Sequence, residues 1–134
     1  MLLLDASVWM AAIDSDDRYH TASRGLVLDA TRPLAALDLT LYEVANVVGV
    51  VKGRSDLGVR LCDAIVERVG ECLIRVDAKL AKRAIALARE HDLTAYDAAY
   101  VATAQARKWT LVSADIKDLV TPDLALAPDD ERLG

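Results

Sequence analysis

Short apolar runs, each stopped by a polar residue, alternate with helical patterns along the chain, and this alternation constrains the fold more than any other feature. Leu2–Leu4 stops at Asp5 and 33–37 at Asp38, while the further strand candidates 73–76, which includes Arg75, and Thr110–Val112 stop at Asp77 and at Ser113-Ala114-Asp115. Helical periodicity fills the intervals: a turn capped by Ser7 and carrying Val8, Trp9 and Ile13, then 19–28, 41–51, a segment capped by Ser55, another capped by Asp77, and 94–108. Apolar strands separated by helices predict a mainly parallel sheet covered on both faces, a three-layer α/β/α sandwich of four to five strands, with 124–126 as the fifth, edge strand. A chain of 134 residues suits one domain, expected over 1–127, with 128–134 as a short acidic, solvated tail.

Two helices set the expectations for packing. The 41–51 stretch is nearly all apolar; its valines suit a strand, but its length and the Thr40-x-x-Glu43 start favour a buried helix. After Asp77, the residues Leu80, Ala81, Ala84, Ile85, Leu87 and Ala88 form an apolar face, and Lys79, Lys82, Arg83 and Arg89 the opposite one.

Composition removes several classes of function. No uncharged run approaches the roughly 18 residues of a membrane span, and the start, Met1-Leu2-Leu3-Leu4-Asp5, lacks the basic and long apolar regions of a secretory signal, so a cytoplasmic protein with no membrane association is expected. Cys62 and Cys72 have no metal-ligand spacing and read as buried thiols. Sixteen Lys plus Arg against twenty-one Asp plus Glu give a net charge of -5, which disfavours coating of nucleic acid by bulk charge and turns attention to where the acids sit.

Most acids share polar faces with lysine or arginine. Asp5 ends the first strand, Asp115 follows the fourth, Glu43 is the only charge between Asp38 and Lys52, and Asp97 the only one between Asp92 and Arg107. All four map to the edge where strands end and helices begin, the ligand-binding edge of an open parallel sheet. Each also has a plain structural reading: Glu43 and Asp97 as third residues of capping boxes that begin at Thr40 and Thr94, Asp5 and Asp115 as turn formers. Those readings leave unexplained why neither Glu43 nor Asp97 has a cation one helical turn away. Converging carboxylates repel unless a cation neutralises them, and an all-oxygen set selects hard Mg²⁺ or Mn²⁺, which in such sites serve phosphodiester cleavage.

The segments Leu2-Leu3-Leu4-Asp5-Ala6-Ser7, Glu43-Val44-Ala45-Asn46, Leu93-Thr94-Ala95-Tyr96-Asp97-Ala98-Ala99-Tyr100 and Leu111-Val112-Ser113-Ala114-Asp115 occur in the order and spacing of one family. Over roughly residues 1–126 the chain resembles the PIN-domain ribonucleases of the VapC toxin type. The resemblance implies a PIN-like fold and a Mg²⁺- or Mn²⁺-dependent endoribonuclease that arrests translation and leaves 5′-phosphate and 3′-hydroxyl ends. It further implies a homodimer inhibited by a cognate VapB-type antitoxin, bound in an apolar groove for which helices 19–28 and 41–51 are the candidates. Carried onto this sequence, Asp5, Glu43 and Asp97 become metal ligands, Asp115 the fourth acid with Asp118 as its rival, and Ser7 and Ser113 hydroxyls that bond the acids or cap their turns.

Asn46 stands one turn beyond Glu43, either in the crevice or satisfied within the fold. Arg18, Arg24, Lys52, Arg54, Lys108 and Lys117 are candidates for holding RNA against a negative site. Trp9 and Trp109 read as core or interface residues rather than base-stacking platforms, and His20 and His91 have no role in this scheme. Two rivals differ in testable ways. A phosphoacceptor receiver domain needs paired acids after the first strand and a lysine after the fifth, which this chain lacks, and a catalytically inactive PIN module would tolerate loss of an acid.

Overall fold

The computed structural model describes residues 1–134. Its centre is a four-stranded sheet of β1 (Leu2–Leu4), β2 (Leu34–Leu37), β3 (Leu73–Ile74) and β4 (Thr110–Val112). The strands run parallel in the order β3-β2-β1-β4. Around it lie α1 (Ala6–Ala11), α2 (His20–Leu28), α3 (Asp38–Val44), α4 (Ser55–Val69), α5 (Ala78–His91) and α6 (Ala95–Arg107). The expected fifth strand shrinks to one parallel bridge, Val112 to Leu126, because the Leu126 N–H and C=O are satisfied by Leu111 and Ser113 and the chain then turns away.

Alternation along each strand divides the core in two. Leu3, Ala35, Leu37 and Leu111 face α5 and α6, where small residues from Ala98 to Ala104 allow close approach. Leu4, Leu34, Ala36 and Val112 face α1 to α4, where Trp9, Val44, Leu61 and Ile65 fill the space. β1, β2 and β4 are therefore covered on both sides, which is why their sequences are largely apolar, whereas β3, at the edge of the sheet, is half-buried.

Several local expectations need correction. Asp5, not Ser7, caps α1, because the strand ends in an extended Asp5 whose carboxylate accepts the Val8 N–H, and Ser7 lies inside the first turn. Thr40 is not a cap either: α3 starts earlier, at Asp38, and Thr40 is wholly buried. Ser55 opens α4 without capping it, since Arg54 occupies the cap position. Asp77 and Thr94 do cap α5 and α6, accepting the Leu80 and Asp97 N–H groups.

The 41–51 stretch is helical but not buried all round. Beyond Val44 it widens into a π-helical segment, Ala45–Val51, and Tyr42, Val50 and Val51 are 79%, 73% and 72% exposed. On α5, Ala84 and Leu87 enter the core whereas Ala81 and Ile85 stay at the surface. Arg68 of α4, on the polar side of its helix in the sequence pattern, bonds the Val27, Asp29 and Arg32 carbonyls and so holds the end of α2. The terminal residues are also engaged, in a turn at Glu131–Leu133 whose Leu133 carbonyl accepts from Arg32 at 2.6 Å. Cys62 and Cys72 are unpaired and half-buried.

Candidate metal centre

The strand order reverses between β1 and β4, since β2 and β3 extend to one side and β4 lies on the other. That crevice is where an open parallel sheet presents a ligand site. Asp5 leaves β1 here with its N–H donated to the Val112 carbonyl of β4, and it is 4% exposed. Ser7 Oγ donates to Asp5 Oδ1, accepts the Ala114 N–H at 2.9 Å and stands 3.4 Å from Ser113 Oγ. Ser113 Oγ in turn accepts the Asp115 N–H at 3.0 Å. The two serines thus tie the end of β1 to the loop that carries Asp115.

Asp97 enters from the first turn of α6. Thr94 accepts its backbone N–H, but the Asp97 carboxylate does not return to close a capping box, and it faces other acids. Oxygens of Asp97, Asp115 and Asp118 all lie within 4.8 Å of one another. Asp118 joins because Asp115 Oδ1 accepts its N–H, starting a π-helical turn at Ile116–Val120 that brings Asp118 back one turn later. Glu43 is contributed by α3, its Oε1 accepting from the Tyr100 hydroxyl at 2.7 Å. That hydroxyl also lies 2.6 Å from Thr40 Oγ1.

The electrostatics are those of an acidic cluster without a counterion. Burial pushes Asp5 from 3.8 up to about 6, against the lowering effect of the Ser113 and Ser7 hydroxyls and the Val8 N–H. Burial also raises Glu43, despite its bond from Tyr100, with the Asp97 charge adding to the rise. Asp97 is raised by burial and then by Asp115 and Asp118. The ion pairs of the chain lie elsewhere, at Asp29, Asp56, Glu90 and Asp130, so no lysine or arginine compensates these carboxylates. A donor set made only of carboxylate oxygens, partly withdrawn from water and mutually repelling, fits a hard divalent cation.

The other sequence candidates divide clearly. Asn46 is exposed rather than satisfied inside the fold. Lys52 lines a cleft of about 270 Å³ together with Ser7, Ala114 and Asp115, whereas Arg24 lines a separate cleft beside His20. Trp9 is core, and Trp109 is half-buried under the Arg107 guanidinium. His20 bonds the Ala11 carbonyl and His91 neighbours Glu90, both outside the acid cluster. Sequence reasoning read Thr40 only as a helix start and assigned no role to Tyr100. The available signal was spacing, since Thr40 precedes Glu43 by three residues and Tyr100 follows Asp97 by three, placing each on the face of its acid.

Known proteins resemble this chain in sequence and fold. The family model described as PIN domain matches residues 2–120. Ribonuclease VapC3 of Pyrobaculum aerophilum is 34% identical over 110 residues, spanning 78% of this chain and 81% of that protein. Among solved structures, a toxin-antitoxin complex from Klebsiella pneumoniae superposes with a TM-score of 0.68 at 22% identity, over 97% of this chain and 99% of that one. Mycobacterium tuberculosis VapC20, described as a sarcin-ricin loop cleaving toxin, gives a TM-score of 0.67 at 19% identity, over 87% of this chain and 92% of its own.

Proposed function

The chain belongs to the PIN-domain family, and from that premise we propose that it is a divalent-metal-dependent endoribonuclease, the toxin of a toxin–antitoxin pair. In this reading Asp5, Glu43 and Asp97 bind Mg²⁺ or Mn²⁺, and Asp115 is the fourth acid with Asp118 beside it. The observation that carries it is the convergence of Asp97, Asp115 and Asp118 within 4.8 Å, none of them in an ion pair. When bound, such an ion supplies Lewis acidity to a water nucleophile and to the departing oxygen of a phosphodiester.

The chain's own residues do the positioning. Ser7 and Ser113 orient Asp5 against the loop of Asp115, Tyr100 holds Glu43 on a hydroxyl that Thr40 also contacts, and Thr94 sets the start of α6 and with it Asp97. Lys52, in the cleft beside Ser7 and Asp115, is the basic candidate best situated to meet an RNA phosphate near the acids. The catalytic unit is 1–127, with 128–134 as an acidic tail.

For partners, the reading implies a homodimer and a VapB-type antitoxin in the cytoplasm. The exposed Tyr42, Val50 and Val51 on one candidate helix, and Leu28, 61% exposed, on the other, support apolar association at those faces. No helix is long and apolar enough to cross a membrane.

The test compares the wild type with Asp97→Asn, which keeps the side-chain shape and removes its charge. Expressed from an inducible promoter, the wild type should arrest growth and generate new 5′-phosphate RNA ends. Purified, it should cleave RNA with Mg²⁺ or Mn²⁺ and lose that activity in EDTA. Asp97→Asn should do neither while keeping its circular dichroism and melting temperature. Two folded proteins that both leave RNA uncut would refute the nuclease reading in favour of a PIN-fold binding module, and two that both cut it would remove Asp97 from the site.

A further inference from the structure

A second cleft, of about 250 Å³, lies among the end of β3, the start of α5 and the last turn of α6. Its lining includes the cations Arg75, Lys79, Arg83 and Arg107 against the single acid Asp77. Asp77 is already engaged as the cap of α5. Arg107 has a local explanation: its guanidinium lies 4.9 Å over the Trp109 ring, and a cation suits the last turn of α6.

Arg75, Lys79 and Arg83 have no such explanation. None of them forms an ion pair, and all are exposed. Lys79 and Arg83 stand four residues apart on one helix, where like charges are destabilising. Lys79 is also in the first turn of α5, where the helix dipole disfavours a cation. A chain of net charge -5 thus gathers positive charge in one cleft at a cost to the helix that carries it.

We infer that this cleft is a second binding surface for the phosphate backbone of RNA, an inference that rests on the ribonuclease reading. A site built of carboxylates repels a polyanion, so affinity for the substrate has to come from cationic surface elsewhere. Arginine forks make two-point contacts with phosphate as they do with carboxylate, and it is the ribonuclease reading that selects nucleic acid as the occupant over an acidic protein segment. Arg107 is ten residues beyond Asp97 on α6. That is about 15 Å along the helix axis. In this inference one folded RNA spans that distance, with the acids at one end of α6 and the cleft at the other.

The experiment measures binding of a fluorescein-labelled RNA hairpin to the full chain in EDTA across a salt series. The variants are Lys79→Gln/Arg83→Gln in the cleft and Lys82→Gln/Arg89→Gln, an equal charge change at exposed sites on the same helix but outside the cleft lining. The cleft variant should weaken binding at least about tenfold and flatten the slope of log K against log salt by about 1.8, the value for two lost phosphate contacts. The control variant should change both far less, and with Mg²⁺ restored the cleft variant should raise KM and leave kcat unchanged.

Equal affinity and slope for the two variants would overturn the inference. So would unmeasurable binding by the wild type, or a cleft variant that loses affinity for a polyglutamate peptide but not for the hairpin. A wild type that binds through the cleft yet cleaves no RNA with either metal would refute the nuclease reading alone. A wild type that cleaves, with a cleft variant that binds normally, would refute the cleft alone.

Discussion

Asp5→Asn tests the electrostatics of the acidic edge without any assay of activity. Asp5 is 4% exposed, and its carboxyl titrates at about 6 in the folded protein against 3.8 for the free side chain. Between those two values the folded state holds a proton that the unfolded state has lost, so stability falls as pH rises through the window, and the full penalty is present above it. At about 1.4 kcal/mol per pH unit the penalty amounts to about 3 kcal/mol. Asparagine keeps an acceptor oxygen for the Val8 N–H and the Ser7 hydroxyl and carries no charge. In urea unfolding followed by circular dichroism in EDTA at pH 7.5, Asp5→Asn should therefore be the more stable protein, by up to about 3 kcal/mol. The difference should contract toward zero near pH 4. Glu43 and Asp97, also raised, steepen the curves of both proteins, and the difference between the curves isolates Asp5. Mg²⁺ at a hundred times its dissociation constant should return about 2.7 kcal/mol to the wild type and little to the variant. An Asp5→Asn protein that is no more stable than wild type in EDTA, or more stable by an amount independent of pH, would refute the claim that this carboxylate is buried without compensation.

Other perturbations follow from the same contacts. Tyr100→Phe removes the hydroxyl shared by Glu43 and the buried Thr40, and should lower stability by about 1–3 kcal/mol in thermal unfolding while raising the Mg²⁺ concentration needed for half-maximal RNA cleavage. Gly58→Ala would bring a Cβ to 3.0 Å from Gly49 Cα and 3.1 Å from Gly49 N, where backbone must give way. The resulting overpacking of about 1–3 kcal/mol outweighs the gain of alanine in a helix, so its urea midpoint should fall, whereas that of Gly49→Ala, which meets nothing within 4 Å, should not.

What could be read from the sequence was what local chemistry controls. β1 and β2 were legible because burial on both faces leaves an unbroken apolar run, and Asp97 because a lone charge among alanines has no partner within reach of its own helix. Asp118 was legible only as a rival to Asp115, since it enters the cluster through a turn that Asp115 itself starts. The bond between Thr40 and Tyr100 spans 60 positions and depends on how α3 lies against α6, which periodicity does not encode. The 41–51 stretch was misread for a different reason. Residues that belong in a core and residues that wait for a partner are equally apolar, so Tyr42, Val50 and Val51 looked buried until the sheet showed which side of the helix faces it.

The capping and metal-binding readings of the acids turn out to concern different atoms and different balances. Asp5 accepts the Val8 N–H as a cap, Asp115 accepts the Asp118 N–H, and Thr94 rather than Asp97 supplies the cap of α6. These bonds settle where the backbone enters each helix, and the helix dipoles at α1 and α6 favour negative charge there. Were that enough, the carboxyls would titrate below their ordinary values, as Asp29 does where Thr31 donates to it at the open surface. Asp5, Glu43 and Asp97 instead titrate above theirs, since burial and mutual repulsion exceed what the amides and hydroxyls return. Capping thus accounts for the position of the acids but not for their number or their burial. Those two features make sense together if a cation enters the crevice, because only a charge of opposite sign stabilises all the carboxylates at once.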